Sequence, residues 1–180
     1  MKPVVDIFWF RRDLRVKDNA GLYHALKGQH PVLPLFIFDR NILDGLENKA
    51  DRRMEFIDQQ LELLQLSFAS VGSAILIRYG IPPEVFSQLS EHYDIRAVFC
   101  NEDYEPYARE RDRVISDMMR AKGIPFHSFK DQVIFSRDEV LKEDGSPYTI
   151  FTPYSKKWLA LLRPFYLRAY PAEQYLSNLF

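Results

Sequence analysis

Three arginines follow one short aromatic run, Phe8-Trp9-Phe10-Arg11-Arg12-Asp13-Leu14-Arg15, with Asp18-Asn19 just beyond. Guanidinium groups at that density can clamp a planar anion through paired hydrogen bonds. They can also lock a loop onto carboxylates, and Asp13, Asp18 and Asp39 are the candidate partners. Residue types alone favour the lock. A second charged segment runs from Asn101 to Asp112 and places Asp103 and Glu105 just ahead of Pro106. Carboxylates near a helix N-terminus are stabilised by the macrodipole, so capping is their simplest role. A third segment, Tyr148 to Trp158, reads as a loop entering an amphipathic turn. No glycine-rich turn follows the first aromatic run and no Walker-type lysine loop occurs, which disfavours a dinucleotide or ATP site built from wrapped backbone. His24, His30, His92 and His127 do not fall at metal-ligand spacing, so no metal site is expected. Alternating charges from Arg109 to Arg113 read as a solvated helix face.

Positioning these segments requires regular elements. Continuous apolar runs at residues 4–10, 32–38, 74–79 and 95–100, with a weaker one at 124–129, predict parallel strands buried on both faces. Between them the spacing predicts helices. Asn19 or Asp18 caps one that passes Ala25 and Leu26 and stops at Gly28. The next carries Met54, Ile57, Leu61, Leu64 and Phe68 on one stripe and stops at Gly72. A third starts at Pro82 and reaches Tyr93; a fourth starts at Pro106, buries Val114, Ile115, Met118 and Met119, and stops at Gly123. Such alternation predicts an α/β, three-layer, doubly wound sheet, with a ligand crevice beyond the carboxyl ends of the strands where their order reverses. If the reversal falls between the first and fourth strands, the arginine loop and the Asn101 segment flank one crevice.

The chain has 180 residues, enough for one domain, and its 24 basic and 25 acidic side chains balance. That balance argues against a main DNA-binding surface, which needs clustered positive charge. The lone Cys100 excludes an internal disulfide and reads as a small buried hydrophobe in a reducing compartment. No signal-peptide pattern opens the sequence and no apolar run is long enough for a membrane span, so the expected location is cytoplasmic. After Phe151 a short helix is expected around Lys156, Lys157, Trp158, Leu159 and Leu162, closed by Pro164. The aromatic stretch that follows, ending on Leu179 and Phe180, reads as a connector meant to lie against chain that is absent.

The three segments, in this order and at this spacing, resemble the DNA photolyase/cryptochrome family over essentially the whole chain. The resemblance implies a Rossmann-like five-stranded parallel sheet of order 3-2-1-4-5 over residues 1–135. Residues 136–163 would close the domain and 164–180 would begin an interdomain connector, with the helical FAD-binding domain outside the chain. The implied role is the N-terminal light-harvesting domain of a photolyase, whose parent enzyme, a carbon–carbon lyase, repairs pyrimidine dimers by blue-light-driven electron transfer from reduced FAD. No catalytic residue is then expected in this chain. The same domain of a signalling cryptochrome, and a stand-alone chromophore- or nucleotide-binding protein, are the alternatives. On positions matching the family's antenna pocket, the resemblance points to Arg12, Phe36, Ile37, Asp39, Arg53, Asp103, Glu105, Ala108 and Arg111. It favours 8-hydroxy-deazaflavin or FMN as antenna. Methenyltetrahydrofolate ranks behind, because Tyr107-Ala108 stand where folate binders carry Asn-Glu; no antenna at all is the competitor. The implied partners are damaged DNA, through the full-length protein, and the helical domain packed on the 150–180 region, with no membrane.

Overall fold

The computed structural model describes residues 1–46, 51–136 and 138–180. Strands β1 (Val4–Phe10), β2 (Val32–Asp39), β3 (Leu76–Gly80), β4 (Asp94–Asn101) and β5 (Phe126–Phe129) form one parallel sheet in the order β3-β2-β1-β4-β5. The order reverses beside β1, as the doubly wound reading requires. Helices α1 (Ala20–Leu26), α2 (Arg40–Leu43), α3 (Arg52–Ala69), α4 (Pro82–His92), α5 (Pro106–Ala121) and α6 (Phe151–Leu161) complete the regular elements, with 3-10 turns at Pro164–Leu167 and Ala172–Asn178.

Central β1 explains its own composition. Successive side chains alternate faces, and both faces are covered. Val5, Ile7 and Trp9 enter one core with Phe86, Leu89, Ile115 and Met119; Phe8 and Phe10 enter the other with Leu22, Leu26, Leu61 and Phe68. The outer strands behave differently. β3, expected to be buried on both faces and to start at Ala74, begins at Leu76 and leaves Ile77 and Tyr79 exposed. It pairs with β2 on one side only, so less of it is covered. β5 likewise begins at Phe126 rather than residue 124.

Asn19 is the residue that caps α1, accepting from the Leu22 amide, whereas Asp18 takes φ +50° beside it. Gly72 and Gly123 supply the left-handed helix ends, at φ +80° and +74°. Gly28 does not: it follows α1 without a positive φ. Val114 on α5 faces solvent, while Ile115 and Met119 are buried. Helix α6 starts at Phe151, five residues before the expected Lys156, and buries no side chain completely.

The final segment departs most from expectation. Residues after Pro164 fold back onto this domain rather than projecting from it. Ala172 is fully buried, and Tyr175, Leu176 and Leu179 pack against the core that holds Leu22 and Leu26. The Phe180 amide donates to the Val32 carbonyl (2.8 Å), Asn178 donates to the Leu26 carbonyl (2.9 Å), and the Tyr170 amide donates to Asp18 Oδ1 (2.8 Å). The open amino-terminal end of β2 and the side of α1 supply the apolar surface that the aromatic tail covers. Phe151 and Leu159 on α6, and Phe165 and Leu167 in the turn that follows it, remain more than half exposed.

Candidate functional site

Beyond the carboxyl ends of β1 and β2 lies a cavity of about 330 Å³. Arg12, Phe36, Ile37, Asp39, Arg53, Asp103, Glu105, Ala108 and Arg111 all line it. They come from the loop after β1, the end of β2, the first turn of α3, the loop leading from β4 into α5, and the first two turns of α5 itself. The lining also includes residues that the sequence reading did not single out: Trp9, Arg11, Phe38, Ile42, Leu43, Leu46, Met54, Ile57 and Tyr107. Met54 and Ile57 carried a signal, because they head the α3 stripe and are only partly buried, Ile57 lying against the core and both along the cavity. The stripe therefore supplies core at one end and cavity wall at the other.

Phe36 and Ile37 are adjacent on β2 and point to opposite faces of the sheet, so the cavity straddles the strand end. Both are nearly buried. Ala108 is buried in the first turn of α5, where its small side chain leaves room for an occupant. These groups make a wall with little polarity.

The polar lining is largely committed to itself. Tyr107 donates from its hydroxyl to Asp39 Oδ2 (2.7 Å) and accepts from Asn41 Nδ2 (3.1 Å). Asp39 also accepts from the Asn41 amide (3.0 Å), and Arg111 stands 3.9 Å from it. Burial raises the Tyr107 pKa, and the bond to Asp39 adds to that. The Arg111 guanidinium lies over the Trp9 ring at 4.7 Å and over Tyr107 at 5.8 Å, a cation–π arrangement in a nearly buried setting. Arg12 donates to Glu105 (2.6 Å) with Asp103 at 3.8 Å, and the Glu105 bond raises its pKa. Arg53 forks onto neighbouring Asp51 and brings that carboxyl down to about 2, the guanidinium open to solvent and the carboxylate partly covered.

The arginine–carboxylate lattice is therefore present, with partners other than those expected. Arg11 pairs with Asp112, Arg12 with Glu105 and Asp103, and Arg15 with Asp131 (2.7 Å). Asp13 and Asp18 serve backbone and amide donors instead: Asp13 accepts from the Arg11 amide and from Asn101 Nδ2, and Asp18 accepts from Tyr170. The reason is reach. A carboxylate two residues away closes a tight turn with an amide, while a long guanidinium spans to the next loop. Arg111 and Asp112 are consequently mostly covered, against the expectation of a solvated face from Arg109 to Arg113, while Arg109, Glu110 and Arg113 are exposed as expected. Burial works against the Arg11 charge, but Cys100 and Asp112 outweigh it and its pKa is raised.

Asn101 ties this arrangement to the fold. Its side chain donates to Asp13 Oδ2 (2.5 Å) and Asn19 Oδ1 (2.9 Å), and accepts from the Gly21 amide (2.8 Å). A Cβ on Gly21 would lie 2.7 Å from Asn101 Oδ1, so only glycine permits α1 to approach β4 this closely. Two buried donors near the cavity have no partner among the described residues: Trp9 Nε1 and Arg11 Nη2. Among the described residues no cluster of His, Cys, Asp and Glu is arranged to hold a metal ion.

The arginine loop and the Asn101 segment thus flank one crevice at the sheet's reversal point. The sequence profile of the DNA photolyase family matches residues 6–174. This chain belongs to the DNA photolyase family. A deoxyribodipyrimidine photo-lyase from a Synechococcus strain is 34% identical over 158 residues, covering 88% of this chain and 32% of that enzyme. The solved archaeal photolyase from Sulfolobus tokodaii, described with two FAD molecules and the implication of a novel light-harvesting cofactor, is 32% identical and superposes with a TM-score of 0.68 over 74% of this chain and 31% of that one. The class III photolyase from Agrobacterium tumefaciens shares the fold at TM-score 0.82 and 23% identity, over 96% of this chain and 35% of that one. The chain therefore spans about a third of the length of these photolyase relatives and matches their N-terminal Rossmann-like domain. No helix among the described residues is long and apolar enough to cross a membrane.

Proposed function

We propose that this chain is the light-harvesting domain of a deoxyribodipyrimidine photo-lyase and that its strand-end cavity holds an antenna chromophore. The observation that carries the reading is the convergence of all nine expected residues on one cavity with an apolar wall and few free polar groups. About 330 Å³ falls at the small end of ligand cavities, enough for a planar ring system whose tail reaches solvent. Phe36, Ile37 and Ala108 would hold the ring. Arg12 and Arg53 at the rim would meet an acidic or phosphorylated tail. Asp39, Asp103, Glu105 and Arg111 hold the wall in shape. Bound there, the chromophore would supply absorption of light and transfer of its excitation.

FMN or a deazaflavin suits this lining better than a folate. Tyr107 and Ala108 offer no carboxylate at the helix start, and the Tyr107 hydroxyl is already engaged by Asp39 and Asn41. In the longer protein, FAD and the flipped dimer would sit in a helical domain, so none of the residues described here takes part in bond cleavage. The exposed apolar side chains of α6 and the following turn are the surface on which that domain would pack. The domain proper would span residues 1–135, closed by 136–163 and followed by the connector from 164. A cytoplasmic setting belongs to the same reading, supported by the single unpaired thiol.

Titration of the protein with FMN and with a deazaflavin, followed by absorbance and fluorescence, tests the site. Micromolar binding is expected, weakened by Arg12→Ala and blocked by Ala108→Phe, which fills the cavity without touching its charges. Absence of binding by both chromophores, or binding indifferent to both substitutions, would overturn the assignment.

A further inference from the structure

Helix α3 carries a second apolar face. Its inner side delivers Leu61, Leu64 and Phe68 to the core. On the opposite side Phe56, Leu63 and Leu66 are 61%, 60% and 69% exposed. With exposed Gln59 and Ser70 they form one row, Phe56-Gln59-Leu63-Leu66-Ser70, whose steps alternate three and four residues. That is the spacing of a helix–helix seam, and covering the sheet does not require it. Arg52 stands at the head of the row. One flank bears exposed Glu55, Asp58 and Glu62, and among the described residues none of these takes part in a hydrogen bond or ion pair.

We propose that this face of α3 docks an amphipathic helix of a partner protein whose apolar seam is bordered by Lys or Arg on the side meeting Glu55, Asp58 and Glu62. The charge pattern selects this occupant. In an antiparallel pairing of two copies, the Glu55 and Glu62 flank of one meets the same flank of the other, like against like. A single row of three apolar side chains is also far smaller than the roughly 800 Å² per partner of a standard stable interface, which suits a transient complex. The acidic flank sets partner choice and association rate, and the apolar row supplies the contact.

The test uses two labelled synthetic helices of about three heptads, identical along a Leu seam, one flanked by Lys and the other by Glu. Fluorescence anisotropy with the protein should show micromolar binding of the Lys-flanked helix and none of the Glu-flanked one. Phe56→Ser with Leu63→Ser should weaken binding about tenfold or more. The triple variant Glu55→Lys, Asp58→Lys, Glu62→Lys should invert the preference. All five positions are on the surface, and thermal melts establish that each variant folds. Equal binding of both helices, or binding of neither, would overturn the proposal. So would a concentration-dependent dimer in sedimentation that Leu63→Glu abolishes, since that would make a second copy the occupant.

Discussion

Asp39 lines the cavity, yet its carboxylate is already engaged by Tyr107, the Asn41 amide and Arg111. It shapes the wall more than it is free to bind an occupant, and the same holds for Glu105 beneath Arg12. Two other buried groups give direct tests of their surroundings. Burial pushes the Cys100 thiol up to about 12, against the opposing pull of Arg11. Only the thiolate reacts, so Cys100 should resist alkylation in the native protein at mildly alkaline pH and react fully once denatured, as followed by mass spectrometry. Asp6, buried on β1, has its carboxyl pKa raised chiefly by burial, against His30, the Ala97 amide and His127. A raised carboxyl pKa means that the folded state binds the proton more tightly than the unfolded one. The contribution is then fullest below the ordinary carboxylate pKa and is lost as pH rises through the raised value. Asp6→Asn should therefore raise Tm at neutral pH, with a gain that disappears in acid. A gain independent of pH would point to packing instead of charge.

Among elements, the closing segment is the one whose role changed. Read as a sequence, its aromatics have no period and suggest a connector; in three dimensions they cover α1 and the start of β2. Removing residues 164–180 uncovers the core around Leu22 and Leu26 and takes away the buried Ala172. The loss should be on the order of 3 kcal/mol from apolar burial alone. For a domain of this size that corresponds to a Tm lower by about 10 °C, measurable by calorimetry. An unchanged Tm would mean that the segment is merely laid on the surface. Helix α6, by contrast, buries no side chain completely, and on the proposed reading its exposed side chains face further chain.

At the scale of the molecule, the domain offers a strand-end cavity and a near balance of acidic and basic side chains, and the proposal assigns bond cleavage to the longer protein. The chain by itself should show no light-driven repair of dimer-containing DNA, while a longer protein carrying it, loaded with FAD and photoreduced, should restore that DNA under blue light. Repair by the 180 residues alone would contradict the division of labour proposed here. Repair absent from a longer, FAD-loaded protein would favour a signalling role for the family member.

The strands and the helices between them were legible in the sequence, because two-sided burial of parallel strands leaves continuous apolar runs and helix ends leave Pro and Gly; the sheet order came through motif resemblance, and the place of the crevice followed from that order. The nine cavity residues were reached through motif resemblance, and spacing alone would have assigned most of them to caps and loop locks. Only the tertiary structure decided which carboxylate each arginine of the loop after β1 meets, since those pairs span 93 to 116 positions and local sequence carries no record of that distance. It also decided that Arg11, Arg12 and Arg111, met first as a dense run of charge and a helix face, are chiefly the frame of a cavity. The chemistry of that frame is set by what each guanidinium is already holding.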